Sequence, residues 1–211
     1  MTTTQPDDVL GADSGPVADL RALLAGPQGP QWALALKRFV GKENPYPLSP
    51  DVRTIPTGGL NRDDLLNRLE AEGIEVTELA RDLMTRPGFR TAPRPLDVPF
   101  ACLAVSGLFA EGPTTGEAFG YEPIFDVAGR GLALCEPDDA AHLLLADAGL
   151  APGEPVYVAM APLTGASGHP RVFVVDVSDQ GRRRLDAYSA SADDYGSRWR
   201  LADRFVFRRA S

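Results

Sequence analysis

A chain of 211 residues, 44% apolar and 24% charged, has the composition of a folded globular protein and is not disordered throughout. Its net charge of −8 argues against a dedicated nucleic-acid binder, because affinity for phosphates comes from clustered Lys and Arg. No stretch nears the roughly 18 apolar residues of a membrane span, and no basic segment with an apolar run opens the chain, so a cytoplasmic protein that neither spans membranes nor is exported is expected.

Residues 1–15 are polar, acidic and rich in turn formers, and are expected to be a disordered tail. A helical segment follows over residues 16–43, in two parts. Val17, Leu20, Leu23 and Leu24 keep a helical spacing until Gly26-Pro27 stops the run. Pro30 then opens a second helix in which Trp32, Leu36, Phe39 and Val40 form one apolar stripe. Such a stripe either packs on its own domain or docks on a partner.

Residues 44–59 hold several prolines and two glycines, and are expected to be a linker. Residues 60–90 read as a helical hairpin. The first helix starts at Asn61 or Arg62, carries Leu65, Leu66 and Leu69, and is capped by Gly73; the second runs from Thr77-Glu78 to Met84.

Residues 96–211 are expected to be an α+β sheet domain. Apolar residues on both alternating sets from Val98 to Val105 describe a strand buried on both faces. Thr114-Thr-Gly-Glu117 has the form of a capping box before a helix. A short strand over Leu132–Leu134 precedes a helix that opens at Pro137 and runs to Ala148, with Asp138 and Asp139 as partners of its dipole. Four further strands fall at Val156–Met160, Arg171–Val177, Arg184–Tyr188 and Arg204–Arg208, with Ser178–Gly181 as a hairpin turn. The expected fold is therefore α+β: N-terminal helices and a helical hairpin, followed by a small, mostly antiparallel sheet covered by one or two helices.

Several of these segments resemble a family of uncharacterised bacterial proteins, many from candidate-phylum genomes. The matching residues are Thr54-Ile-Pro-Thr-Gly58, Ile74–Met84, Gly131–Cys135, Gly153-Glu154, Val158–Pro162, Trp199 and Asp203–Arg209. Where that family tends to carry a longer polar segment after its Cys-Pro, this chain has Glu136–His142. The resemblance implies one domain from about Thr54 to Arg209, leaves residues 1–50 outside it, and brings no activity.

Few residues are candidates for carrying chemistry. Cys135 precedes a helix start, where the dipole would favour a thiolate, and His142 and His169 are the two histidines available to serve it as base. Seven residues along a helix put His142 roughly 10 Å from Cys135, too far for proton transfer. Cys135 with His169 is thus the pair left for a hydrolase or transferase whose site is built from loops. Two cysteines and two histidines without paired spacing do not compose a metal site, and no phosphate-binding glycine loop or nucleophile elbow occurs, so no metal and no cofactor are expected. Asp193-Asp194 lacks the flanking positions of a calcium loop. Residues 171–211 carry 9 basic and 6 acidic side chains, an excess that reads as a solvated sheet edge. The reading that follows is a non-enzymatic interaction or accessory protein, its partner another protein or a second copy of itself, docked through Trp32, Leu36, Phe39 and Val40.

Overall fold

The computed structural model describes residues 16–26, 33, 36, 51–105, 121, 124, 131–146, 150, 152–191, 199–200 and 202–210. The chain divides into two compact units, Met1–Pro47 and Leu48–Ser211. In the first, helix α1 spans Pro16–Ala25 and holds Leu20 and Leu24 half-buried, four residues apart. Leu36 is helical and half-buried, whereas residues 1–15 and Trp32, Phe39 and Val40 lie outside the described residues. So do Thr114–Glu117 and Asp193-Asp194.

The second unit overturns the expected fold. Its described residues form nine strands of one mixed sheet and only three short helices, so strands do not wait for helices to finish. The strands are β1 (Asp51–Thr57), β2 (Glu75–Val76), β3 (Leu96–Ala104), β4 (Leu132–Ala133), β5 (Val156–Val158), β6 (Leu163–Thr164), β7 (Pro170–Val177), β8 (Arg183–Ser189) and β9 (Arg204–Arg209). The helices are α2 (Arg62–Ala71), α3 (Glu78–Met84) and α4 (Asp139–Leu145). The sheet order is β1-β3-β9-β5-β7-β8-β2, with β4 beside β9 and β6 beside β7. Two pairings, β5 with β9 and β2 with β8, are parallel.

Two strands account for the correction. β1 lies inside the segment expected to be a linker; its Pro56 cannot donate to a ladder, but at the end of the sheet order that donor is not needed. β2 occupies the turn of the supposed helical hairpin. Ile74 and Val76 are buried there, and the Thr77 N–H donates to the Leu185 carbonyl at 3.0 Å. The hairpin is thus a strand flanked by two helices.

Local signals place the helices well. Asn61 caps α2 by accepting from the Asp64 N–H at 3.0 Å, and Thr77 caps α3 by accepting from Ala80 N–H at 3.2 Å. Leu65 and Leu69 of α2 and Leu83 of α3 are fully buried, each contributing roughly 1.5–3 kcal/mol through removal from water.

α4 is different in kind. It touches β1 at one end of the sheet order and β7 and β8 near the other, so the sheet wraps around it. α2 packs on its flank. All six residues from Asp139 to Leu144 are buried, which is the burial of a helix enclosed on every side. Beyond it, Trp199 is sealed among Tyr121, Tyr157, Tyr188 and Phe205, with ring centroids 5.3–5.8 Å away.

Candidate functional site

An enclosed helix that carries Asp139 and His142, with Asp138 before it, must satisfy those groups from within the protein. Each finds a partner on a different segment.

Asp139 is fully buried and meets Arg208 of β9 in a two-bond fork, with Nε to Oδ2 at 2.6 Å and Nη2 to Oδ1 at 2.8 Å. The Glu136 N–H also donates to Asp139 Oδ2, at 2.8 Å. Burial pushes the Asp139 carboxyl up, and the Arg208 fork pulls the other way. Burial would lower the Arg208 pKa, but the Asp139 fork overcomes this and holds the guanidinium above its ordinary value.

Asp138 is equally buried. Its Oδ2 accepts from the Ala92 N–H at 3.0 Å, while Oδ1 finds no partner among the described residues. Burial raises its pKa, with the Ala92 hydrogen bond opposing. Both aspartates stand at the start of α4 as expected of dipole partners, but they are buried there and bonded to other groups of the protein. Asp138 occupies the N-cap position yet makes no side-chain cap, its carboxylate being turned to the Ala92 N–H.

His142 accepts from the Gly58 N–H at Nε2, 2.9 Å away. An imidazole that accepts at Nε2 is neutral and carries its proton on Nδ1. Burial lowers its pKa, the Asp139 charge works against that shift, and the Arg68 charge adds to it. Gly58 and Gly59 form the turn after β1 with φ of 77° and 78°. A Cβ on Gly58 would stand 2.5 Å from the Arg94 carbonyl oxygen, so no other residue fits. The Gly59 N–H donates to the Ala92 carbonyl at 2.8 Å, closing a clasp in which the 58–59 turn, Ala92 and α4 hold one another.

Beside this clasp lies a cavity of about 320 Å³. Pro56, Leu60, Pro95, Leu145 and Ala146 supply apolar wall, Thr57, Gly58 and Gly59 the floor of the turn, and His142 and Arg68 the polar side chains.

The thiol is not poised for chemistry. Cys135 is buried, and its Sγ–H donates to the Val206 carbonyl at 3.4 Å. Burial raises its pKa well above the ordinary value and the Asp139 charge adds to this, the reverse of the expected activation by a helix start. His169 sits exposed in the turn before β7, where its carbonyl accepts from the Gly165 N–H at 3.1 Å. No hydrogen bond joins Cys135 with either histidine among the described residues. Among those residues no three His, Cys, Asp or Glu side chains gather as a metal site, and no helix is long and apolar enough to cross a membrane.

Sequence reasoning missed the clasp and the fork. A signal for both was present: Ala140, Ala141, Leu143, Leu144 and Leu145 leave α4 no polar face, so its Asp139 and His142 had to be buried with partners. Comparison with models of protein families, with curated proteins and with solved structures finds no match to this chain.

Proposed function

We propose that this chain is a non-enzymatic accessory protein that docks to a protein partner, and that the Met1–Pro47 unit does the docking. One observation supports the reading above others. The Leu48–Ser211 unit closes a core of its own, drawn from Ile55 to Phe207, and ties Asp139, Arg208 and Cys135 into that core. In the first unit, Leu20 and Leu24 stand on one face of α1 and remain half-buried, with Asp19 and Arg21 exposed beside them. A short amphipathic helix of this kind, followed by the Trp32, Leu36, Phe39 and Val40 stripe, suits a hydrophobic groove on another protein.

The test places a photo-crosslinking amino acid at Trp32 or Phe39 of the full chain and identifies the products by mass spectrometry. The expected result is one dominant adduct, to a single protein or to a second copy, that disappears when Leu36 is replaced by Asp. A chain that forms no stoichiometric adduct, and whose cellular role survives deletion of residues 1–47, would end this reading.

A further inference from the structure

The cavity at the C-terminal end of α4 has the make-up of a small-molecule site. Its 320 Å³ lies near the lower end of the roughly 300–1,000 Å³ of such sites, and its wall is apolar with few polar groups. What those polar groups offer decides the ligand class.

Among the described lining residues, one charged side chain, Arg68, is present and no carboxylate. Arg68 is 61% exposed, and its contact with Glu72 is a loose 3.8 Å. Glu72 is shared, because Arg183 also approaches it at 3.4 Å. Glu72 itself does not line the cavity, so Arg68 brings its positive charge to the rim with the carboxylate shared between two guanidinium groups behind it. The negative end of α4, which would repel an anion, is answered by Arg183, whose Nη1 donates to the Leu144 carbonyl at 2.7 Å. His142 spends Nε2 on the Gly58 N–H, so its remaining polar atom is an N–H donor at Nδ1. That nitrogen is not among the sealed polar atoms lacking a partner, and His142 lines the cavity. The site therefore offers donors and a positive charge against an apolar wall.

The geometry points to a binding site for a small organic carboxylate, its anionic end held by Arg68 and His142 Nδ1–H and its apolar body against Pro56, Leu60, Pro95 and Leu145. Arg68 takes the carboxylate at the open rim, where a planar guanidinium matches two oxygens. The Gly58–Gly59 turn lies against α4, held by the Gly58 N–H on His142, and forms part of the wall. This site lies wholly within the Leu48–Ser211 unit and does not depend on docking by the N-terminal unit.

The experiment titrates the full chain with benzoate and hexanoate, and with benzamide and hexanamide as neutral counterparts, while following backbone amide and imidazole resonances. Saturable shifts are expected at Gly58, Gly59 and His142, with at least one acid binding about tenfold tighter than its amide. Arg68→Gln, at an exposed position that leaves the fold intact, should remove the preference for the acid and keep the weaker amide-like affinity. Equal affinity for acid and amide, unchanged acid binding in Arg68→Gln, or no saturable shift at these residues up to about 10 mM would overturn the assignment.

Discussion

Asp139 and Arg208 stand 69 residues apart in the chain and meet as a fork of two hydrogen bonds at 2.6 and 2.8 Å, the carboxylate wholly removed from solvent. The pair fastens the enclosed helix α4 to the central strand β9, whose Arg208 is in turn the register partner of Phe100 on β3 and Ala133 on β4. Breaking one half of such a pair strands the other as an uncompensated buried charge. Arg208→Met should therefore lower stability at neutral pH by about 3–5 kcal/mol, and the joint replacement Asp139→Leu with Arg208→Met should recover most of that loss. Urea denaturation of the two variants measures both figures. The Arg208→Met deficit should shrink as the pH is lowered and the stranded carboxyl takes up a proton.

The His142 clasp gives a second pH dependence of opposite sign. The folded state favours the neutral ring, so its pKa lies below the unfolded value of 6.5, mainly through burial. Where the unfolded chain binds the proton and the folded chain does not, stability rises with pH. The clasp's contribution is complete above about pH 6.5 and declines as the pH falls below it. His142→Gln keeps an acceptor for the Gly58 N–H and removes the titration. The difference in unfolding free energy between wild type and His142→Gln, followed from pH 8 to pH 5 by about half-unit steps, should show a loss in the wild type alone.

Gly58 and Gly181 have nearly the same φ, 77° and 76°, yet of the two only Gly58 is crowded. A Cβ at Gly181 meets nothing within 4 Å, so Gly181→Ala should cost only the left-handed penalty of about 1–2 kcal/mol. Gly58→Ala adds a contact of 2.5 Å with the Arg94 carbonyl and pulls the N–H away from His142, and should cost about 3 kcal/mol or more. Thermal unfolding of the two variants separates these cases, at roughly 2–4 °C per kcal/mol for a chain of this size.

Cys135 should be chemically silent while the protein is folded. Its thiol is buried, neutral and bonded to the Val206 carbonyl. Alkylation by iodoacetamide at pH 8, read by peptide mass spectrometry, should proceed at Cys135 only as fast as the protein unfolds, and promptly in denaturant. Rapid labelling of Cys135 in the native protein would contradict the placement of this side chain.

Much of the sheet could be read from single segments. β3, buried on both faces, and the Ser178–Gly181 turn between β7 and β8 were both legible, because each rests on a local pattern of apolar residues or a turn former. The helix starts at Asn61 and Thr77 were legible for the same reason. β1 was not, since Pro56 and the prolines before it look like a linker until one knows that this strand lies at the end of the sheet order. β2 is two residues long and takes its identity from pairing with Arg184 and Leu185, more than a hundred residues on. The site was less legible still. Asp139 looks like a helix-start acid and His142 like an isolated imidazole, until the sheet closes around α4 and brings Arg208 and Gly58 to them.

β9 lies between β3 and β5, although it follows every other strand along the sequence. On the ribosome, β1 with β3 and β5 with β7 and β8 would emerge first, as separate fragments of a sheet. The β3 edge and the three-residue β5 edge keep unpaired amides and carbonyls until residues 204–209 have left the exit tunnel. A nascent chain stalled before Arg204 therefore displays two sticky borders at once, a state exposed to aggregation and to chaperone capture. The final strand does not decorate a finished sheet; its insertion joins the two halves.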